Sequence, residues 1–172
     1  MSIAGRAIRG AEAGALAAAG VALSFFVLDL IRVQPFGTPA ILSGAVLGPG
    51  GLQWFEWDDP SLSGIFAGFA TAFRIASFTF VHFLSFALVG VLASLLFDWK
   101  QAVILKPLLV VTALCAVAFS ATVAGSGSVV ALRSLGLISV AAVSLFAAIL
   151  VVAFLRLAAM PEPEDAEPAS GG

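Results

Sequence analysis

The chain has 172 residues, of which 61% are hydrophobic and only 10% charged, and its mean hydropathy is +1.13. Too few polar residues remain to cover the surface of a water-soluble domain, so the composition indicates an integral membrane protein. The formal net charge of -2 comes largely from an acidic C-terminus and gives no indication of a nucleic acid partner.

Four apolar stretches are each about as long as the ~20-residue helix that crosses the hydrocarbon core of a bilayer. They predict spans at about residues 10–30, 66–97, 105–124 and 131–157. The short connections between the second, third and fourth spans favour antiparallel neighbours. The sequence therefore predicts an all-α integral membrane protein, folded as a four-transmembrane-helix antiparallel bundle.

Small residues recur every fourth position near the start of the first two spans. They are Gly10, Gly14 and Ala18 in the first span and Gly64, Gly68 and Ala72 in the second. Such small-residue ladders let helix backbones approach closely in lipid, so both are predicted to be helix-packing faces, against this chain or another. The alternative is that they follow from the high alanine and glycine content alone.

A long loop, residues 33–63, is predicted between the first two spans on the extracytoplasmic side. Thr38 and Pro39 resemble a helix start, and the apolar segment after them is too short to cross a membrane, so we expect a short interfacial helix there. Trp54 and Trp57 in this loop, and Trp99 at the opposite side, are predicted interfacial anchors.

The basic residues predict the orientation. With a cytoplasmic N-terminus the inside would carry Arg6, Arg9, Lys100, Lys106 and Arg156, and the outside Arg32, Arg74 and Arg133. This excess favours N- and C-termini in the cytoplasm, and the alanine- and glycine-rich composition favours a bacterial inner membrane. The C-terminal residues 161–172, acidic and proline-rich without aromatic residues, are predicted to be a disordered cytoplasmic tail.

Few ionisable residues lie within the predicted spans. Asp29, at the outer end of the first span, and Arg74, near the outer start of the second, should have similar depth, which predicts an intramembrane ion pair. The alternative is that Asp29 pairs with Arg32 three residues on, while the Arg74 side chain extends to the interface.

His82 is the deepest of these residues and the one histidine of the chain. Three interpretations are open: the imidazole hydrogen-bonds across a helix interface, it ligates a haem or chlorin, or it relays protons. Ligation by two histidines is impossible within one chain, so the structural interpretation is preferred, and no cofactor is predicted.

Motifs typical of enzymes are absent from the sequence, which has no His-x-x-x-His or Cys-x-x-Cys spacing and no phosphate-binding loop with its lysine. We therefore expect a non-enzymatic accessory subunit of a larger bacterial complex of respiratory or photosynthetic type, with lipid and other membrane subunits, or itself, as partners. The alternative is a small homo-oligomeric transporter or channel lined by Asp29, Arg74 and His82. It is disfavoured because no acidic residue lies near the membrane centre.

Overall fold

The computed structural model describes residues 2–31, 33, 38–39, 42–43, 62–100, 103–125 and 137–160. The regular secondary structure in this part of the chain is entirely helical, which confirms the all-α prediction for these residues. The long helices are α1 (Ile3–Ile31), α2 (Leu62–Leu96), α3 (Leu105–Gly125) and α4 (Leu137–Leu157).

Three of these helices are long and apolar enough to cross a membrane: α1, α2 and the Val140–Leu157 part of α4. The apolar part of α3, Leu105–Ala121, is shorter than these three, so a fourth span stays a prediction. With 29 and 35 residues, α1 and α2 are about 44 and 52 Å long at 1.5 Å per residue. Both exceed a hydrocarbon core of about 30 Å, so they extend beyond it or tilt.

Each of the four helices packs against two others, so the helix contacts form a closed ring. α1 makes its most extensive contacts with α2 and also packs against α4, while α3 packs against α4 and, over a smaller area, against α2. The contacts between α1 and α2 run in opposite order along the two helices, from Gly10 against Gly90 to Ala18 against His82.

The most deeply buried side chains are small, and many large apolar ones face outwards. Among the described residues, the largest side chains that are fully buried belong to Val111, Val151, Pro107 and Ser43. On α2, by contrast, four phenylalanines spaced to lie on one helix face are 69–73% exposed: Phe66, Phe69, Phe73 and Phe80. Such a surface is unfavourable in water but ordinary against lipid chains, and close packing of small residues is the typical way in which membrane helices associate.

The chain turns sharply where α1 ends. Val33 has a φ of 56°, an unusual value for a β-branched residue, and its N–H donates to the Leu30 carbonyl over 3.0 Å. Thr38, Pro39 and the nearby pair at 42–43 have helical geometry, and the predicted short interfacial helix stays a prediction. The rest of the predicted interfacial helix and loop, Trp54, Trp57 and the predicted tail at 161–172 lie outside the described residues.

Candidate functional site

His82 lies half-buried on α2, against α1. Its Nε2 is 3.2 Å from the carbonyl oxygen of Ala18. A carbonyl oxygen can only accept a hydrogen bond, so this geometry assigns a hydrogen to Nε2; in the neutral ring Nδ1 is then the acceptor. The ring is also packed among aromatic side chains, with centroid distances of 4.8 Å to Phe86 and 6.0 Å to both Phe78 and Phe83. The imidazole therefore links α1 to α2.

The first small-residue ladder lies where α1 and α2 approach most closely. A Cβ atom added at Gly10 would be 2.5 Å from both the Gly90 carbonyl oxygen and Ser94 Oγ. One added at Gly14 would overlap the Phe86 backbone, and one at Gly90 would overlap the Gly10 carbonyl. No side chain larger than hydrogen fits at these positions unless the two backbones separate.

Gly10 and Gly14 do not pack against the second small-residue ladder. Gly64 and Gly68 are half-buried and Ala72 is exposed, in the first turns of α2. The surface opposite Gly10 and Gly14 lies instead near the end of α2. The packing role predicted for the second ladder stays a prediction.

Asp29 is almost fully buried, with 3% of its surface exposed. Its Oδ2 accepts a hydrogen bond from the Thr38 N–H over 2.8 Å, and its Oδ1 accepts one from the Thr38 hydroxyl over 2.7 Å. The Asp29 carboxyl group thus satisfies the backbone N–H and the hydroxyl of Thr38, and it links α1 to the chain that follows it. Arg74 is half-buried on α2. Its ion pair with Asp29 stays a prediction.

Two arginines of α1 bind the C-terminal ends of two other helices. Arg6 donates four hydrogen bonds to carbonyl oxygens at the end of α2: two to Ser94, at 3.0 Å from Nε and 2.5 Å from Nη2, and one each to Leu95 and Phe97. Arg9 Nη1 donates to the Ala158 carbonyl, just beyond α4, over 2.5 Å.

These arginine contacts serve groups that a helix end leaves unpaired. The last four carbonyls of a helix lack partners within it and carry the negative end of its dipole, so guanidinium groups there are favourable. In the sequence, Arg6 and Arg9 indicate only the orientation of the chain in the membrane. Their contacts were not predictable, because nothing in the sequence shows that α2 and α4 end beside the start of α1.

Trp99 lies near the same end of the bundle, just after α2. It is 9% exposed and its ring meets that of Phe97 edge-on, with centroids 5.8 Å apart. Its indole Nε1 is buried without a hydrogen-bond partner among the described residues. The indole therefore packs within the protein, and its role as an interfacial anchor stays a prediction.

Among the described residues, no group of three or more His, Cys, Asp and Glu side chains could hold a metal ion. Comparisons with protein-family models, curated proteins and solved structures gave no match. The class defined by the described part of the chain is an all-helical protein with three helices capable of crossing a membrane. A function for this protein is therefore inferred from the contacts of its own residues.

Proposed function

We propose that this chain is a small accessory subunit of a larger membrane protein complex in a bacterial inner membrane, of respiratory or photosynthetic type. Its four helices form an antiparallel bundle with both termini in the cytoplasm. The observation that carries the proposal is the use of its polar side chains: Asp29, His82 and Arg6 each hydrogen-bond to another segment of the same chain.

This use of polar groups favours a structural role over transport. In a transporter or channel, ionisable groups inside the membrane face a water-filled path, where they meet the substrate or ion. Here the Asp29 carboxyl group is 3% exposed and accepts two hydrogen bonds from Thr38. The His82 Nε2 is directed at the Ala18 carbonyl. Groups bound in this way hold helices together, and they are poorly placed to exchange partners with a passing solute.

Haem or chlorin ligation through His82 receives less support than the structural role. An axial ligand offers a ring nitrogen to the metal, and a hydrogen bond from its other nitrogen commonly orients it. Because Nε2–H is bonded to Ala18, only Nδ1 could bind the metal. Nδ1 is next to the ring carbon through which the imidazole is attached to α2. The imidazole is also crowded by Phe86 at a centroid distance of 4.8 Å.

The surface for contact with a partner would be the outward face of α2 that carries Phe66, Phe69, Phe73 and Phe80. Aromatic side chains contribute large contact areas, and they are enriched at protein interfaces. These four side chains are at least 69% exposed. A partner helix could bury them without displacing any contact within the bundle.

The test is purification of the tagged chain from native membranes in mild detergent, followed by mass spectrometry of the co-purifying chains and an absorption spectrum. We expect defined membrane subunits at fixed stoichiometry. Replacing Phe69 and Phe73 together with alanine should release them, whereas the control pair Leu109→Ala and Val117→Ala, exposed on α3, should not. Recovery of the chain alone, as a homo-oligomer, would contradict the proposal.

A further inference from the structure

A cavity of about 130 Å³ lies between the four helices and is partly enclosed by them. Every helix contributes to its wall, for example through Phe25 of α1, Phe86 of α2, Cys115 of α3 and Val143 of α4. His82, which is bonded to Ala18 of α1, also lines it. The segment after α1 closes part of the wall with Thr38, Pro39 and Leu42.

The wall of this cavity is uncharged and almost wholly apolar. The residues that line it include no aspartate, glutamate, lysine or arginine. Most polar groups in the wall are already bound: Thr38 Oγ1 to Asp29, Thr79 Oγ1 to the Ile75 carbonyl and Ser85 Oγ to the Val81 carbonyl. A water molecule needs two to four polar partners to be stable in such a site, so the cavity favours an apolar occupant over water.

We propose that this cavity binds the end of a hydrocarbon chain from a membrane lipid. An apolar cavity of about 150 Å³ is large enough for a benzene-sized molecule, and an empty one loses the dispersion contacts of its wall. The wall residues of α2, from Phe78 to Val89, lie within a helix that is apolar enough to cross the membrane. At that depth the surrounding medium consists of lipid hydrocarbon, which matches the wall in polarity and is present at high concentration. The inference does not depend on the accessory-subunit role.

The test is photo-crosslinking with the full chain in lipid nanodiscs. The lipid is a phosphatidylcholine with a diazirine at the end of one acyl chain, and cross-linked residues are identified by peptide mass spectrometry. We expect cross-links at Cys115 and His82, in the cavity wall, in addition to those at Val117, which is 65% exposed on the outside of α3. A lipid that only surrounds the protein reaches Val117 but not Cys115, which is 4% exposed.

Neighbouring positions on α3 provide a matched pair of variants. Ala118 lines the cavity and Val117 points outwards. Ala118→Leu should fill part of the cavity and abolish the cross-links at Cys115 and His82 while keeping those at position 117. Val117→Leu, with the same new side chain one residue away, should keep the cross-links in the cavity.

Two results would overturn the proposal. One is a set of cross-links in the wild-type protein that is confined to outward-facing residues such as Val117. This result requires no variant. The other is an undiminished yield at Cys115 in Ala118→Leu. If Ala118→Leu fails to give a helical, monodisperse protein, Ser144→Leu fills the same cavity from α4 and replaces it in the comparison.

Discussion

The Arg6 guanidinium, on the second turn of α1, donates two hydrogen bonds to the single carbonyl oxygen of Ser94, near the end of α2. These residues are separated by 88 positions in the sequence. The bonds join the beginning of one helix to the end of another, where the dipole of α2 is negative and its carbonyls lack intrahelical partners. Arg6 is therefore a structural residue as well as a basic residue that favours a cytoplasmic N-terminus.

Replacing Arg6 with methionine should destabilise the bundle, because it keeps an apolar side chain of similar length but removes the Nε and Nη2 donors that make four contacts with carbonyl oxygens at the end of α2. Hydrogen bonds from charged groups contribute about 1.5–3 kcal/mol each when isolated, and we expect a total loss of about 2–3 kcal/mol because these four share one side chain. Reversible unfolding in mixed detergent micelles measures it. Lys106→Met, at an exposed lysine, is the control and should change stability by less than about 0.5 kcal/mol. Equal stability of both variants would show that the Arg6 bonds contribute nothing.

Gly14→Ala should disrupt the contact of α1 with α2, because the added Cβ would overlap the Phe86 backbone, which cannot move independently of its helix. Overpacking of this kind typically costs about 1–3 kcal/mol. Gly20→Ala is the matched control on the same helix. Its Cβ would meet Leu150 Cδ1, the mobile end of a side chain, and alanine favours the helix over glycine by about 1 kcal/mol. Thermal aggregation in detergent should separate the two variants, and equal tolerance would mean that α1 and α2 do not approach as described.

Thr38→Val should release the segment that follows α1. Valine has nearly the shape of threonine but lacks the hydroxyl that donates to Asp29 Oδ1 over 2.7 Å. A loss of about 1 kcal/mol would raise local hydrogen exchange at Leu42 and Ser43 roughly fivefold. Thr79→Val removes a hydroxyl that bonds to its own helix, at the Ile75 carbonyl, and should leave that exchange unchanged. Hydrogen exchange at Leu42 and Ser43 that is the same in both variants would argue against the Asp29 contact.

His82→Gln should retain the folded bundle, because an amide can also donate a hydrogen bond towards the Ala18 carbonyl. Such bonds contribute about 0.6 kcal/mol on average in membrane proteins, so only a small loss in unfolding free energy is expected. Ser85→Ala, one turn away, is the control, since its hydroxyl bonds within α2 to Val81. The absorption spectrum gives the decisive comparison. A Soret or chlorin band in the wild type that vanishes in His82→Gln would establish the ligand role instead.

The predicted orientation can be tested with topology reporters. A reporter fused after Gly172 should be active only in the cytoplasm, and one inserted near Asp58 only outside, because the basic residues favour cytoplasmic termini. The opposite pattern would invert the bundle. It would also place the Arg6 contact with α2 on the outer side of the membrane.

Hydropathy predicts where the chain can cross a membrane, and the helices α1, α2 and α4 follow from it. It does not predict where a helix begins: α1 starts at Ile3, among basic residues that a hydropathy pattern excludes from a span. The four-residue spacing around Gly14 indicates a surface for close approach, but not that Phe86 and Gly90 lie opposite, since pairing between distant segments depends on the whole fold. The Asp29 contact with Thr38 required the turn at Val33, which has no sequence signature.

The small-residue ladder of α1 has a consequence for helix register. Its small residues repeat every four positions, so sliding α1 by four residues, about 6 Å, would put Gly14 in the place of Gly10 and Ala18 in the place of Gly14. The Ala18 Cβ would then overlap the Phe86 backbone, as a Cβ added at Gly14 would. The position of the two glycines therefore disfavours this neighbouring alignment, although the spacing of small residues is periodic. The Arg6 bonds to Ser94 do not repeat, because the residue one turn later is Gly10, which has no side-chain donor. The two glycines and a single cation at the edge of the interface thus both distinguish one alignment from its neighbour.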